Sequence, residues 1–87
     1  MYEILYNPDI EKQLDKIPDK IHGHIDDTIL KLAENPRPYG SMKLVQHTDI
    51  YRIRVGDYRI VYYVNDKDKI VIVARVAHRT ERTYKDI

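Results

Sequence analysis

The spacing of apolar residues changes along the chain, and its first half shows a helical period. Apolar positions recur every three or four residues in two stretches, Ile10/Leu14/Ile17 and Ile21/Ile25/Ile29/Leu32, which predict two amphipathic helices. Asn7-Pro8-Asp9 supplies an N-cap, a proline at the first helical position and an acid in the first turn. Pro18 ends the first helix and Asp19 caps the second. The prolines of Asn35–Pro38 stop the second helix, because proline lacks a backbone donor.

Beyond Gly40 the period becomes two, which predicts strands. The candidate strands are Met42–Gln46, Ile50–Val55, Tyr58–Asn65 and Lys69–His78, and Tyr2–Tyr6 forms a short strand before the helices. The predicted order β-α-α-β-β-β, with helices early and hairpins late, indicates an α+β fold. In it, the N-terminal strand and a helical hairpin pack on an antiparallel meander sheet, within a single domain over residues 1–87.

Gly56-Asp57 separates two alternating runs and predicts a tight β-hairpin. If the turn has two residues, Val55 pairs with Tyr58 and Arg54 with Arg59. Arg52 then shares a face with both arginines, while the isoleucines at positions 53 and 60 point to the other face. Like charges placed opposite each other destabilise a sheet. The hairpin therefore suggests a site for an anion between the arginines.

The register of the last strand is left open by the sequence. A three-residue turn over Asp66–Asp68 would pair Arg75 with Arg59 and place Arg79 on the arginine side. A turn of two or four residues would place His78 there instead, because a one-residue slip exchanges the faces.

Charge and composition narrow the class of protein. The net charge of +1 hides a division: residues 1–42 carry five basic and eight acidic residues, and residues 43–87 carry ten and six. All but one of the arginines lie in the basic half, which favours a polyanionic partner.

The absence of cysteine excludes disulfides and thiolate metal sites. With no visible secretory signal and no apolar run long enough to span a bilayer, we expect a cytoplasmic protein without membrane contact.

The segment Tyr51–Tyr62, read Y-R-I-R-V-G-D-Y-R-I-V-Y, together with Val76-Ala77-His78-Arg79 and Tyr84, resembles the RelE/ParE superfamily of bacterial and archaeal toxins, and its RelE branch more closely. The resemblance covers essentially the whole chain and implies a RelE-like fold. It implies the toxin of a type II toxin–antitoxin system, an mRNA endoribonuclease that cuts in the ribosomal A site without a metal or other cofactor. The implied partners are the ribosome, mRNA and a cognate antitoxin, and DNA would be contacted only indirectly, through the antitoxin.

The resemblance also implies roles for particular residues. Arg59 matches the strand arginine that contacts the scissile phosphate, Arg79 the arginine of the last strand, and Tyr84 the C-terminal tyrosine. Arg52, Arg54 and Lys43 are assigned to RNA phosphate binding. His78 lies at a position that is often basic in the family, and proton transfer is assigned to His78 or Tyr84, because arginine stays protonated.

Alternative interpretations remain for these residues and for the function. Alternating arginines can simply make a strand face soluble, and an isolated histidine or tyrosine is most often structural. We interpret Arg75 as a structural or antitoxin-facing charge. The alternative function is a ParE-like toxin that binds and inhibits DNA gyrase without nuclease activity. The two branches share the fold, so the fold alone does not separate them.

Overall fold

The computed structural model describes residues 1–44 and 48–78. Its order is β1 (Glu3–Tyr6), α1 (Ile10–Asp15), α2 (Asp19–Glu34), β2 (Met42–Lys43), β3 (Ile50–Val55), β4 (Tyr58–Asn65) and β5 (Ile70–His78). The predicted α+β architecture is confirmed, and β2 lies within the candidate strand at residues 42–46, whose residues 45 and 46 are outside the described residues. Among the described residues, no helix is both long and apolar enough to cross a membrane.

The five strands form one sheet in the order β1-β5-β4-β3-β2. Strands β2 to β5 make the predicted antiparallel meander, whereas β1 lies beside β5 and runs parallel to it. A parallel pair needs a long crossover connection, and here the helical hairpin supplies part of it. The last strand is therefore an internal strand of the sheet, between β4 and the N-terminal strand.

Both helices contribute to a core on one face of the sheet. Ile10, Ile17, Ile25, Ile29 and Leu32 from the helical region pack with alternate residues of the strands, among them Ile53, Ile60, Tyr62, Val71, Val73 and Val76. The helix stripes and the inward-facing isoleucines of the hairpin thus have the core positions that the periodicity predicts. The opposite face of the sheet carries the arginines and is described below as the arginine face.

The starts of both helices differ from the prediction. Helix α1 begins at Ile10 and its N-cap is Asp9, with no side-chain cap hydrogen bond. Asn7 lies before it and donates from Nδ2 to the carbonyl of Ala74 at 3.3 Å. Asp19 is the first residue of α2 rather than its cap. The pairing of β1 with β5 ends at Tyr6. Asn7, the next residue, therefore bonds the exposed edge of β5 with its side chain.

A polar cluster ties the loop after α2 to the far end of the sheet. Arg37 donates from Nη1 and Nη2 to the two carboxylate oxygens of Asp66 at 3.1 and 2.7 Å, and from Nε to the hydroxyl of Tyr51 at 2.9 Å. Tyr2 donates to Asp66 Oδ1 at 2.6 Å. These bonds lower the pKa of Asp66 to about 2, the Arg37 bond contributing most. Arg37, the one arginine within residues 1–42, therefore has a structural partner in Asp66.

Beneath this cluster, the Tyr62 hydroxyl is buried and donates to the carbonyl of Pro36 at 2.7 Å. Burial raises the pKa of Tyr62 to about 12, so the ring stays neutral over the physiological range. The loop that leads from α2 to β2 is therefore anchored from inside the core as well as from its surface.

Candidate functional site

The β3–β4 hairpin has the register that the sequence predicts. Arg54 pairs with Arg59, Arg52 with Val61, and Val55 with Tyr58 across the Gly56-Asp57 turn. Gly56 has φ +59, a left-handed conformation that glycine adopts without strain. Because paired residues share a face, Arg52, Arg54 and Arg59 lie together on the face opposite the helices.

Two rows of side chains cross the strands at this end of the arginine face. The upper row runs Ala77, Arg59, Arg54 over β5, β4 and β3, and the lower row runs Arg75, Val61, Arg52, Met42 over β5, β4, β3 and β2. Neighbouring strands lie about 4.8 Å apart and the two rows about 7 Å apart. Four arginines therefore share an area that a single phosphodiester segment could cover.

The burial of these residues differs in a way that favours a preorganised anion-binding site. Val61 is fully buried and Ala77 is 4% exposed, so the floor between the arginines is apolar and excludes water. Arg54 is exposed, whereas Arg52, Arg59 and Arg75 are half-buried, and Nε of Arg59 is buried. A partly desolvated guanidinium on a rigid strand is held in place before any anion arrives, and it interacts more strongly than one in bulk water.

A β-bulge at Ala74 brings Arg75 into the lower row. Tyr62 pairs with Val73, but the next β4 residue, Val61, pairs with Arg75, so Ala74 is the extra residue. Without the bulge, Ala74 would lie opposite Val61 and Arg75 would face the helices. The bulge lies where β1 ends, and the backbone N–H of Asn7 donates to Val73 at 3.0 Å beside it. Bulges commonly redirect side chains at functional sites.

The same bulge corrects the prediction for the last strand. The turn has four residues, Asp66–Lys69, because Asn65 pairs with Ile70. Of the alternatives left open, the three-residue turn with Arg75 opposite Arg59 is therefore wrong, since Arg75 faces Val61 and Ala77 faces Arg59. A four-residue turn alone would have placed His78 on the arginine face, but the bulge shifts the register by one more residue and reverses that placement.

His78 consequently pairs with Tyr58 on the side of the sheet that carries the helices. The two rings meet edge to face, with centroids 5.2 Å apart and planes at 88°. His78 lines a cavity of about 340 Å³ at the end of β5, whose walls include Gln13, Lys16 and Ile17. The structure thus does not bring His78 into the group formed by Arg52, Arg54 and Arg59.

Lys43 is also separated from the arginines. It pairs with Tyr51, a residue packed against the core, while Met42 pairs with Arg52. The Met42 sulfur lies 2.8 Å from Arg52 Nη2. The register therefore puts Met42 where the sequence analysis assigned a phosphate-binding lysine. The other two predicted residues, Arg79 and Tyr84, lie outside the described residues.

Arg75 is the member of the arginine group that sequence reasoning did not assign to the site. A signal for it exists in the core pattern of β5, where buried Val71 and Val73 are two apart but the next core valine, Val76, is three further on. One extra residue between core positions is what a bulge requires. Read in that way, the pattern places Arg75 on the face opposite Val73 and Val76.

Chain comparisons agree with this architecture. The family model of the ParE toxin of type II toxin–antitoxin systems matches residues 4–83. The chain belongs to the RelE/ParE family of toxins. Its curated relatives include the RelE1 protein of Methanocaldococcus jannaschii, 30% identical over 78 residues, which cover 86% of each chain.

Solved RelE structures have the same fold. The RelE chain of the archaeal RelE–RelB complex from Pyrococcus horikoshii superimposes with a TM-score of 0.82 at 28% identity, covering 92% of this chain and 97% of that one. The RelE chain of the intact Escherichia coli RelBE toxin–antitoxin complex gives 0.80 at 26% identity, covering 94% and 100%. The resemblance to the RelE branch is confirmed, and this RelE-like chain is a type II toxin.

Proposed function

We propose that this RelE-like toxin is a ribosome-dependent endoribonuclease that cleaves mRNA in the A site and thereby inhibits translation. The observation that carries the proposal is the arginine group on the face opposite the helices. Arg54 and Arg59 are paired directly, with Arg52 and Arg75 in the adjacent row. Such a group suits RNA phosphate, because a guanidinium forms paired, charge-assisted hydrogen bonds with phosphate oxygens.

In the proposed reaction, the 2′-hydroxyl of one nucleotide attacks its own 3′-phosphorus. The bond from phosphorus to the 5′-oxygen of the next nucleotide breaks, which leaves a 2′,3′-cyclic phosphate and a free 5′-hydroxyl. Negative charge grows on the non-bridging oxygens during the attack. Arg59 and Arg54 stabilise that charge, because donors fixed before the reaction need no reorganisation. Arg52 and Arg75 hold the neighbouring backbone, and the resemblance to the family assigns Arg79 a part in the same reaction.

Proton transfer belongs to Tyr84 in this proposal rather than to His78. Arginines remain protonated and serve poorly as bases. The pairing of His78 with Tyr58 directs it away from the arginine face, which favours Tyr84 between the two candidates. A tyrosine is a weak base at neutral pH, because its ordinary pKa is about 10. The proposed enzyme therefore depends on the ribosome to position the mRNA, and Lys43 has no role in the reaction.

The proposed partners follow from this reaction and from the relatives. RelE of P. horikoshii and of E. coli was solved with RelB, and we extend that association to a cognate antitoxin for this chain. The antitoxin would cover the arginine face or displace the C-terminal segment, and any DNA contact would occur through the antitoxin. We place the toxin and its substrates in the cytoplasm.

A second candidate function is favoured by one observation, the match to the family of ParE toxins. In that case the chain would inhibit DNA gyrase and leave mRNA intact. The arginine pair of the hairpin would then contact an acidic protein surface or DNA phosphate instead of a scissile bond.

One experiment separates the two candidates. The purified toxin is added to a cell-free translation reaction, mRNA 5′ ends are mapped by primer extension, and gyrase supercoiling is measured in parallel. The proposed function predicts new 5′ ends in phase with codons, which disappear with Arg59→Ala, and unchanged supercoiling. Intact mRNA with inhibited supercoiling would refute the nuclease and support the gyrase inhibitor.

A further inference from the structure

We propose that an apolar row on the arginine face anchors the antitoxin, which contacts the row with apolar side chains and the adjacent arginines with carboxylates. The row consists of Leu5, Ile72, Tyr63 and Ile50. This inference rests on the proposed toxin–antitoxin pairing and deepens it, because it names the surface and the chemistry of the segment that binds there.

The row is defined by strand register. Leu5 pairs with Ile72, Ile72 with Tyr63, and Tyr63 with Ile50, so the four side chains cross β1, β5, β4 and β3 in one line. Three strand spacings make the line about 14 Å long. Leu5 is 40% exposed and the other three are half-buried. A sheet face that does not pack on helices is normally polar, so a continuous apolar line across it needs a partner.

The arginines lie directly beside this line. Two residues along β4 and β3 lead from Tyr63 and Ile50 to the row that contains Arg52. On β5 the same step takes three residues, from Ile72 to Arg75, because Ala74 is the extra residue of the bulge. Two strand residues span about 7 Å, close to the separation of side chains four apart on one side of a helix. A segment that presents apolar residues and then acidic ones at that spacing fits both rows at once.

Charge complementarity selects an acidic protein segment over other occupants. A second copy of this chain that docked with the same face would bring its own arginines against these arginines. The chain's C-terminal segment carries Arg79, Arg82 and Lys85 against Glu81 and Asp86, so its net charge has the wrong sign. RNA complements the arginines, but of the four row residues only Tyr63 offers a ring on which a base could stack. A partner with both aliphatic and acidic side chains matches the whole surface.

The consequence is that neutralisation and cleavage use different parts of the same face. The proposed RNA site needs the arginine rows, whereas the antitoxin needs the apolar row in addition. A toxin that lacks the apolar row should therefore remain active on RNA and escape the antitoxin.

Two synthetic peptides of equal length and composition probe this surface. In one, leucines fill the first half and glutamates the second, and in the other the two residue types are interspersed. Dissociation constants are measured for the full-length toxin, for Leu5→Thr/Ile72→Thr, for Arg52→Ala/Arg54→Ala and for Leu30→Gln. Threonine keeps the strand preference. Leu30, a leucine of α2 that is 66% exposed, is the matched control outside the arginine face.

The segregated peptide should bind the parent at least about ten-fold more tightly than the interspersed one. Leu5→Thr/Ile72→Thr should abolish that preference and leave mRNA cleavage unchanged, Arg52→Ala/Arg54→Ala should weaken both peptides, and Leu30→Gln should change neither. Thermal unfolding verifies the fold of each variant. If the double variant does not fold, Leu5→Thr alone should reduce the preference, since this side chain is the most exposed of the row.

Equal binding of the two peptides, or a preference that survives Leu5→Thr/Ile72→Thr, would overturn the inference. So would a loss of mRNA cleavage in that variant, because the row would then belong to the RNA site. These results differ from a failure of the proposed function, in which the parent toxin cleaves no mRNA but still discriminates between the peptides.

Discussion

Replacing Tyr62 with phenylalanine tests how the loop after α2 is held against the sheet. The ring of Tyr62 is fully buried and stacks on Tyr51, with ring centroids 5.9 Å apart. Its hydroxyl donates to Pro36, itself buried, at 2.7 Å. Tyr62→Phe keeps the ring and its packing and removes only the hydroxyl. The variant therefore isolates one buried hydrogen bond.

The expected cost follows from what the substitution leaves behind. A buried acceptor that loses its donor costs about 1–3 kcal/mol, and the void left by one oxygen atom adds little. For a domain of this size, each kcal/mol lowers the melting temperature by about 4–8 °C. We therefore expect Tyr62→Phe to lower the free energy of unfolding by about 1–3 kcal/mol.

Chemical denaturation followed by circular dichroism measures this difference, with Tyr63→Phe as the matched control. Tyr63 is the next residue of β4, lies on the opposite face and is half-buried, so its variant should differ from the parent by less than about 0.5 kcal/mol. Equal stabilities of the two variants would refute the inference that the bond from Tyr62 to Pro36 anchors the loop.

Two further predictions concern polar contacts at the ends of the sheet. The pKa of Asp66 is lowered to about 2, first by the hydrogen bond from Arg37. Its contribution to stability is therefore present above pH 4 and lost as the pH falls towards 2, so Asp66→Asn should flatten acid denaturation curves between those values, and an unchanged curve would contradict the assignment. Gln13 Oε1 accepts from the Val76 N–H at 2.7 Å, and Gln13→Ala should cost about 1–2 kcal/mol in denaturant titrations. Gln13→Glu keeps the acceptor and should lose less, and the reverse ranking would contradict the account.

The hairpin that carries the arginines could be predicted from the sequence because its determinants are local. Gly56-Asp57 fixes the turn, and the alternation of Ile53 and Ile60 with arginines fixes which side is buried. Turn chemistry and face burial lead to the same register, so no tertiary information is needed. The core positions of both helices were predictable for a similar reason, since a 3.6-residue period already defines the buried stripe.

The last strand could not be placed in the same way, since its register depends on contacts with distant residues. The fourth residue of the turn, Lys69, has a left-handed φ of +57. Lysine rarely adopts this conformation, so a lysine in the sequence does not predict it. The bulge at Ala74 occurs where β1 ends and Asn7 takes over the edge of β5. Pairing of β1 with β5 spans most of the chain, and no local pattern encodes it.

Lys43 illustrates a different limit of sequence reasoning. It was assigned to RNA phosphate binding together with Arg52 and Arg54. The pairing of Met42 with Arg52 shows that adjacent residues on a short edge strand face opposite sides of the sheet. Counting charges along the sequence indicates the sign of a binding partner's charge. Strand register determines which charged side chains lie on the same face.

The central claim is that arginines on the face opposite the helices catalyse cleavage of ribosome-bound mRNA. Its most direct test is the single-turnover cleavage rate on purified ribosomes with mRNA in an empty A site, measured with excess parent toxin and with excess Arg59→Ala. Removal of one fixed donor from a developing oxyanion typically slows a reaction about 10²–10³-fold. We predict a loss of that size with the fold and ribosome binding intact, whereas an Arg59→Ala toxin that cleaves at the parental rate would contradict the account.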